Sequence, residues 1–252
     1  MSFASVSFLL FFLVVLLLLL LVQRVLPFAE IKRRIICQGI LLIASYVFYG
    51  WWNMQLCLLL MGITWISFFT AVKKDEKHLW QSRISLLIGV GTPLTVLGIF
   101  KYYDFFVTSF CEVFHLTPGV LNLILPVGIS FYTFQALSYT IDVYTGKIEK
   151  EKSFLQFALY LSFFPQLVAG PIVKASEFLP QLKENRKVTL SGLESGIQIF
   201  VFGMFKKVVL ADNISVFVDE VYRSPQIFGS GTVALAVAAV SYTHLTLPTI
   251  LR

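Results

Sequence analysis

Tyr132, Gln135, Tyr139 and Asp142 recur at spacings of three, four and three residues. On a 3.6-residue period those four side chains share one helical face. They supply two phenols, one amide and one carboxylate, a set that donates and accepts hydrogen bonds and carries one charge. The stretch around them, residues 126–142, is otherwise apolar, with Phe131, Phe134, Ala136, Leu137 and Ile141 covering the rest of the helix. In hydrocarbon an unsatisfied polar group costs several kcal/mol, so such a stripe is expected to face protein or a wet passage. An acidic side chain at its end marks a functional site by default. Hydrogen bonding to neighbouring helices would explain the same residues, and the spacing alone leaves both readings open.

The elements that must hold this stripe are membrane helices. The chain is 57% hydrophobic and only 13% charged, with 25 Phe and a mean hydropathy of +0.81, whereas soluble domains carry about 25% charged residues. The apolar runs are long and unalternated, which excludes a β-barrel and points to an all-α, polytopic membrane helix bundle with re-entrant or broken helices. A net charge of +6 spread over short loops reads as the positive-inside bias of cytoplasmic connections, and no nucleic-acid module is legible. Cys37, Cys57 and Cys111 form no CxxC pair, so neither a metal site nor a disulfide framework is expected.

In chain order, residues 3–22 run without a charge and are followed by Arg24, Lys32, Arg33 and Arg34. That pattern predicts a first crossing with the N-terminus outside. Ile35 to Val72 has the length of two crossings, turned at Tyr49–Asn53, and returns to the basic loop Lys73–His78. A fourth helix is expected over Ile84–Phe100 with Pro93 inside it, then a short interfacial helix over 102–116 that contains His115. A fifth runs from Val120 to Tyr144 and carries the stripe, stopped by Gly146 and Lys147. Residues 154–170 are broken by Pro165 and the Gly170-Pro171 pair and flanked by lysines on both sides. A simple crossing there violates the charge bias, so a re-entrant element lining a cavity is expected. Residues 175–187 read as polar and cytoplasmic, 191–209 as a half-buried or amphipathic segment, and 211–230 as a polar connection. A last apolar helix begins at Gly231, with about ten apolar residues where roughly twenty are required.

The string SYTHLTLPT that follows resembles the translated read-through of a sequencing-library adapter. Residues 241–252 are accordingly expected to be a non-native tail, joined near Tyr242, and residues 1–240 a truncated transmembrane domain. His244 then belongs to no site.

Leu125–Tyr144, read as LPVGISFYTFQALSYTIDVY, resembles the membrane-bound O-acyltransferase family. It is most similar to the bacterial branch of alginate O-acetyltransferase and the D-alanyl transferase of teichoic acids. Leu41–Asn53, Phe100–Phe106, Phe164–Leu182 and the weaker Gly203–Asn213 agree in order and spacing, so the resemblance covers essentially residues 1–240, the N-terminal half of that fold. It implies an enzyme of the bacterial inner membrane that passes an acetyl or other acyl group from a cytoplasmic donor to hydroxyls of an extracellular polysaccharide, through partner acyl-transfer proteins and in contact with membrane lipid. No cofactor or metal is implied. The family's catalytic histidine lies in a tryptophan- and arginine-rich segment that matches nothing here, so no catalytic residue carries over and this portion is expected to be inactive alone. Lys174 stands where the family commonly has arginine after the Gly-Pro turn, which keeps a cation and loses the bidentate fork.

Acyl transfer needs a base for the acceptor proton, donors for the developing oxyanion and a water-poor channel. Tyr132, Gln135, Tyr139, Asp142 and Gln166 are the candidates to line that channel, and Lys174 to attract an anionic donor at its cytoplasmic mouth. A transporter whose stripe lines a solute path, or a non-catalytic membrane assembly protein, is the alternative; the lack of an internal repeat weighs against the transporter.

Overall fold

The computed structural model describes residues 5–24, 29–75, 77–114, 116, 119, 121, 123–167, 170, 172–184 and 189–249, with side chains described as far as Val240. Every regular element among them is helical. The expectations placed on His115, Val120, Pro171 and residues 185–187 lie outside the described residues. The chain divides into two compact units, one of residues 21–168 and 172–185, the other of 1–20, 169–171 and 186–252.

The N-terminal helix α1 spans Val6–Arg24, and α2 (Glu30–Gly50) and α3 (Met54–Thr70) follow. The break between α2 and α3 falls where the sequence places it. Asn53 caps α3 by accepting the Gln55 N–H at 2.9 Å, the role for which short polar side chains are favoured at N-caps. Trp51 and Trp52 stand 65% and 61% exposed in the turn, as interfacial aromatics do.

The structure corrects the sequence reading at α4. One helix runs from Leu79 to Phe114, about 54 Å at 1.5 Å per residue, with no boundary between the expected fourth helix and the expected interfacial one. Charges and aromatics at Lys101–Phe106 suggested an end, but that stretch contains no glycine or proline to break the hydrogen-bond ladder. Pro93 is accommodated inside the helix and buried. Among the described residues, α1 and α4 are the two helices long and apolar enough to cross a membrane by length and composition.

Helix α5 covers Ile129–Tyr144 and starts later than the apolar run suggested. Pro126 biases Leu125 away from helical backbone, and Gly128 takes a left-handed φ of 75° as the N-cap. Its far end is a Schellman closure. There the Lys147 N–H bonds the Asp142 carbonyl at 2.9 Å, the Gly146 N–H bonds that of Val143 at 3.1 Å, and Gly146 has φ 76°.

The interrupted segment resolves into α6 (Phe154–Ser162) and α7 (Phe164–Leu167), separated at Phe163. At nine residues α6 is roughly 14 Å long, less than half the bilayer core. Ser45 of α2 anchors the junction by accepting the Phe164 N–H at 3.2 Å while donating to Leu41 O at 2.8 Å. The polar stretch after it is helical over residues 175–183. Ala175–Lys183 forms α8, whose Ala175 and Leu179 are buried. In this unit α3, α5 and α6 pack on one another, with α2, α4 and α8 against them, around Leu60, Ile63, Ala136, Phe157 and Leu161. Gly89 lets α4 approach α3 and α5 closely, because a Cβ there would lie 2.4 Å from Thr70 Oγ1 and 3.0 Å from Thr140 Cγ2. Gly89→Ala is expected to cost about 1–2 kcal/mol, the overpacking exceeding the helix-propensity gain; a thermal midpoint at or above wild type would show that Thr70 simply moves aside.

The other unit holds α1 as far as Leu20, with α9 (Leu190–Phe205), a π-helical turn over Lys206–Ala211, α10 (Asp212–Arg223) and α11 (Ser230–Thr249). Residues 211–230 are therefore largely helical rather than a loose connection. Val218 and Val221 are the buried residues of α10, which packs against α11.

Candidate functional site

A 16-residue helix with one polar face positions the first three candidates. Tyr132, Gln135 and Tyr139 are 0%, 2% and 0% exposed, while Phe134 and Ile141 on the other side are 45% and 43% exposed. The polar face of α5 thus looks into the packed unit and its aromatic face looks outward. Asp142 continues the stripe only to the rim. Its side chain is 17% exposed and pairs with Lys147 Nζ at 3.6 Å, and Ser138 Oγ donates to it at 3.5 Å.

The Tyr132 and Tyr49 phenols interact electrostatically, yet neither hydroxyl has a hydrogen bond of ordinary geometry. Buried hydroxyls left without such a bond cost about 1–3 kcal/mol each. Tyr139 is satisfied differently: its oxygen accepts the backbone N–H of Glu151 at 2.9 Å. Its ring lies 4.5 Å from that of Phe157.

Gln166 and Lys174 do not join this face directly. Both are placed around Tyr160, a fully buried residue of α6. Gln166 Nε2 donates to the Tyr160 carbonyl at 3.4 Å, and the Tyr160 hydroxyl donates to the carbonyl of Val173, next to Lys174, at 3.0 Å. Lys174 itself is exposed and occupies the N-cap position of α8 without a side-chain cap bond.

Three polar residues with defined partners escaped the sequence reading. Tyr160 falls four residues after Gln156 in an otherwise apolar run, a helical spacing that could have singled it out. Gln38 is isolated among apolar residues; its Nε2 donates to Leu182 O at 2.7 Å and its Oε1 accepts from Gln156 Nε2 at 3.5 Å. Glu151, inside a lysine-rich run, reads as solvated but is buried and meets Lys183 Nζ at 2.7 Å. Beside it Lys150 lies 5.5 Å over the Phe68 ring and donates to Phe69 O at 3.5 Å. Partial burial pulls the Lys150 pKa below the usual lysine value. Among the described residues no three His, Cys, Asp or Glu side chains are grouped to hold a metal ion.

The chemistry on offer is hydrogen bonding: phenols and amides facing inward, with charges confined to one rim. Comparison with known proteins supplies its context. A Pseudomonas putida protein named "Probable alginate O-acetylase AlgI" is 36% identical over 211 residues, covering 81% of this chain and 43% of that protein. A peptidoglycan O-acetyltransferase of Helicobacter pylori is 37% identical over 211 residues, covering 71% and 39%. A teichoic acid D-alanyltransferase of Streptococcus thermophilus is 26% identical over 130 residues, covering 51% and 30%. The chain spans about two-fifths of the length of the first two. No family model matches the chain, and no solved structure matches it. Over the length that these relatives share with it, the chain belongs to the membrane-bound O-acyltransferase family.

Proposed function

We propose that these residues form the N-terminal portion of a multi-pass O-acyltransferase of the bacterial inner membrane, with its N-terminus outside. The enzyme takes an acyl group from a cytoplasmic donor and places it on hydroxyls of an extracellular polysaccharide, working with partner acyl-transfer proteins. The observation that carries this reading is the inward face of α5, where Tyr132, Gln135 and Tyr139 are buried opposite exposed Phe134 and Ile141, in a chain aligned with named O-acetylases. Inward hydrogen-bond donors in a low-dielectric interior are what an acyl oxyanion requires, because they act there without reorganising water. Tyr132, Gln135 and Tyr139 line the path, Asp142 sits at its rim, and Gln166 supports α6 through the Tyr160 carbonyl. Lys174 faces solvent, where it attracts an anionic donor by charge alone.

The test is complementation in a bacterium deleted for its alginate O-acetylase. The natural reading frame that contains residues 1–240 is expected to restore O-acetyl groups on the secreted polymer, measured by hydroxamate assay. The 252-residue chain alone is expected to restore none. A membrane-inserted product of the natural frame that acetylates neither alginate nor peptidoglycan would defeat the proposal, and turnover by the 252-residue chain would defeat its second part.

A further inference from the structure

Among the described residues, Glu151 is the buried charged group that this function leaves without a role. It is only 5% exposed although it lies in the lysine-rich connection after α5. Its carboxylate accepts the backbone N–H groups of Lys152 and Ser153 at 2.9 and 3.1 Å and meets the Lys183 ammonium at 2.7 Å. Its own backbone N–H donates to the Tyr139 hydroxyl. One residue therefore joins the last phenol of the polar face to the last turn of α8. That turn is fastened twice more, by Arg34 Nη1 donating to the Lys183 carbonyl and by Gln38 Nε2 donating to the Leu182 carbonyl. Elsewhere α8 is held by apolar contact, through Ala175 and Leu179 with Phe178 and Leu182 against the core, and at its start by the Tyr160 bond to Val173 O. A nine-residue helix has no stability of its own in water, so it stays formed only while docked.

We infer that α8 is a strap closing one end of the polar face, with the Glu151–Lys183 ion pair as its catch. The two halves of the catch are unequal. The Glu151 side chain is only 5% exposed, whereas that of Lys183 is 56% exposed. When the strap lifts, Lys183 keeps most of its water and Glu151 regains its own, so opening strands no buried charge. Opening the catch therefore adds no buried-charge penalty, which a pair buried on both sides would impose. The lysines around this end mark it as cytoplasmic, the side from which an acyl donor arrives. A strap there admits the donor and then excludes water from the acyl group. Assigning it to donor entry rests on the acyltransferase proposal; the catch itself does not.

Hydrogen exchange on the 252-residue chain in detergent micelles separates the two claims. Glu151→Gln and Lys183→Met are each expected to speed exchange across residues 175–183 by about tenfold, leaving the α2 and α5 peptides unchanged, while Lys183→Arg keeps wild-type protection. Unchanged exchange at 175–183 in both variants overturns the catch. Faster exchange spread equally over α2, α5 and α8 overturns it too, since that is general loosening. In the complementing protein, Glu151→Gln is expected to raise donor consumed per acetyl group transferred at least twofold, and an unchanged ratio overturns the role in donor entry. If the unsubstituted protein acetylates nothing, the acyltransferase proposal fails and the exchange result still decides the strap.

Discussion

Gly128→Ala is expected to lower the thermal midpoint of the detergent-solubilised chain by roughly 10 °C, about 3 kcal/mol at 2–4 °C per kcal/mol. Two costs add at this position. Gly128 has φ 75°, where a Cβ strains the backbone by about 1–2 kcal/mol. That Cβ would also lie 2.3 Å from the Leu167 carbonyl oxygen, a backbone atom that cannot rotate away. The close approach is what seats the start of α5 against the end of α7. Gly146→Ala separates the two effects, because it shares the left-handed φ at 76° but meets only the Lys73 side chain, at 3.3 Å. It is expected to cost about 1 kcal/mol, roughly 3 °C. Equal shifts in the two variants would mean that contact with Leu167 contributes nothing and only backbone strain matters.

That contact also shows where the sequence was and was not legible. The burial of Tyr132, Gln135 and Tyr139 followed from periodicity, since an apolar helix with one polar face has a single economical orientation. The start of α5 did not, because Val120 to Leu125 is as apolar as the helix, and its real beginning depends on Pro126 and on Leu167, distant in sequence. At Lys101–Phe106 composition suggested an interface, whereas backbone continuity is decided by the absence of breakers. Helices α8 and α10 were hidden for the opposite reason: their polar residues dominate a linear reading, while two or three apolar ones at helical spacing do the packing. Glu151 was masked by its neighbours, three lysines and Glu149 within residues 147–152. Only Lys183, on a helix that composition did not suggest, reveals that this one carboxylate is buried. Misses of this kind arise wherever tertiary partners, not local pattern, decide burial.

Gln135→Leu in the complementing protein is expected to cut polymer O-acetylation by about 10²-fold while leaving the thermal midpoint within about 2 °C of wild type. Gln135 is 2% exposed on the inward face, one turn from both buried phenols. Leucine nearly matches its volume and demands no hydrogen bond, so a well-filled apolar replacement is close to neutral for folding when no essential partner is stranded. If Gln135 serves only as a structural tie, the substitution strands its partner and costs about 1–3 kcal/mol; activity then falls only as far as the folded fraction falls. If it donates to a developing oxyanion, folding is untouched and the loss sits in the chemical step, at the size measured when one such donor is removed. Phe134→Leu, on the outward face, is the matched control and should retain at least half of wild-type acetylation, since lipid accepts either side chain. Full activity in Gln135→Leu, or a midpoint that falls in step with activity, would return the α5 stripe to helix packing.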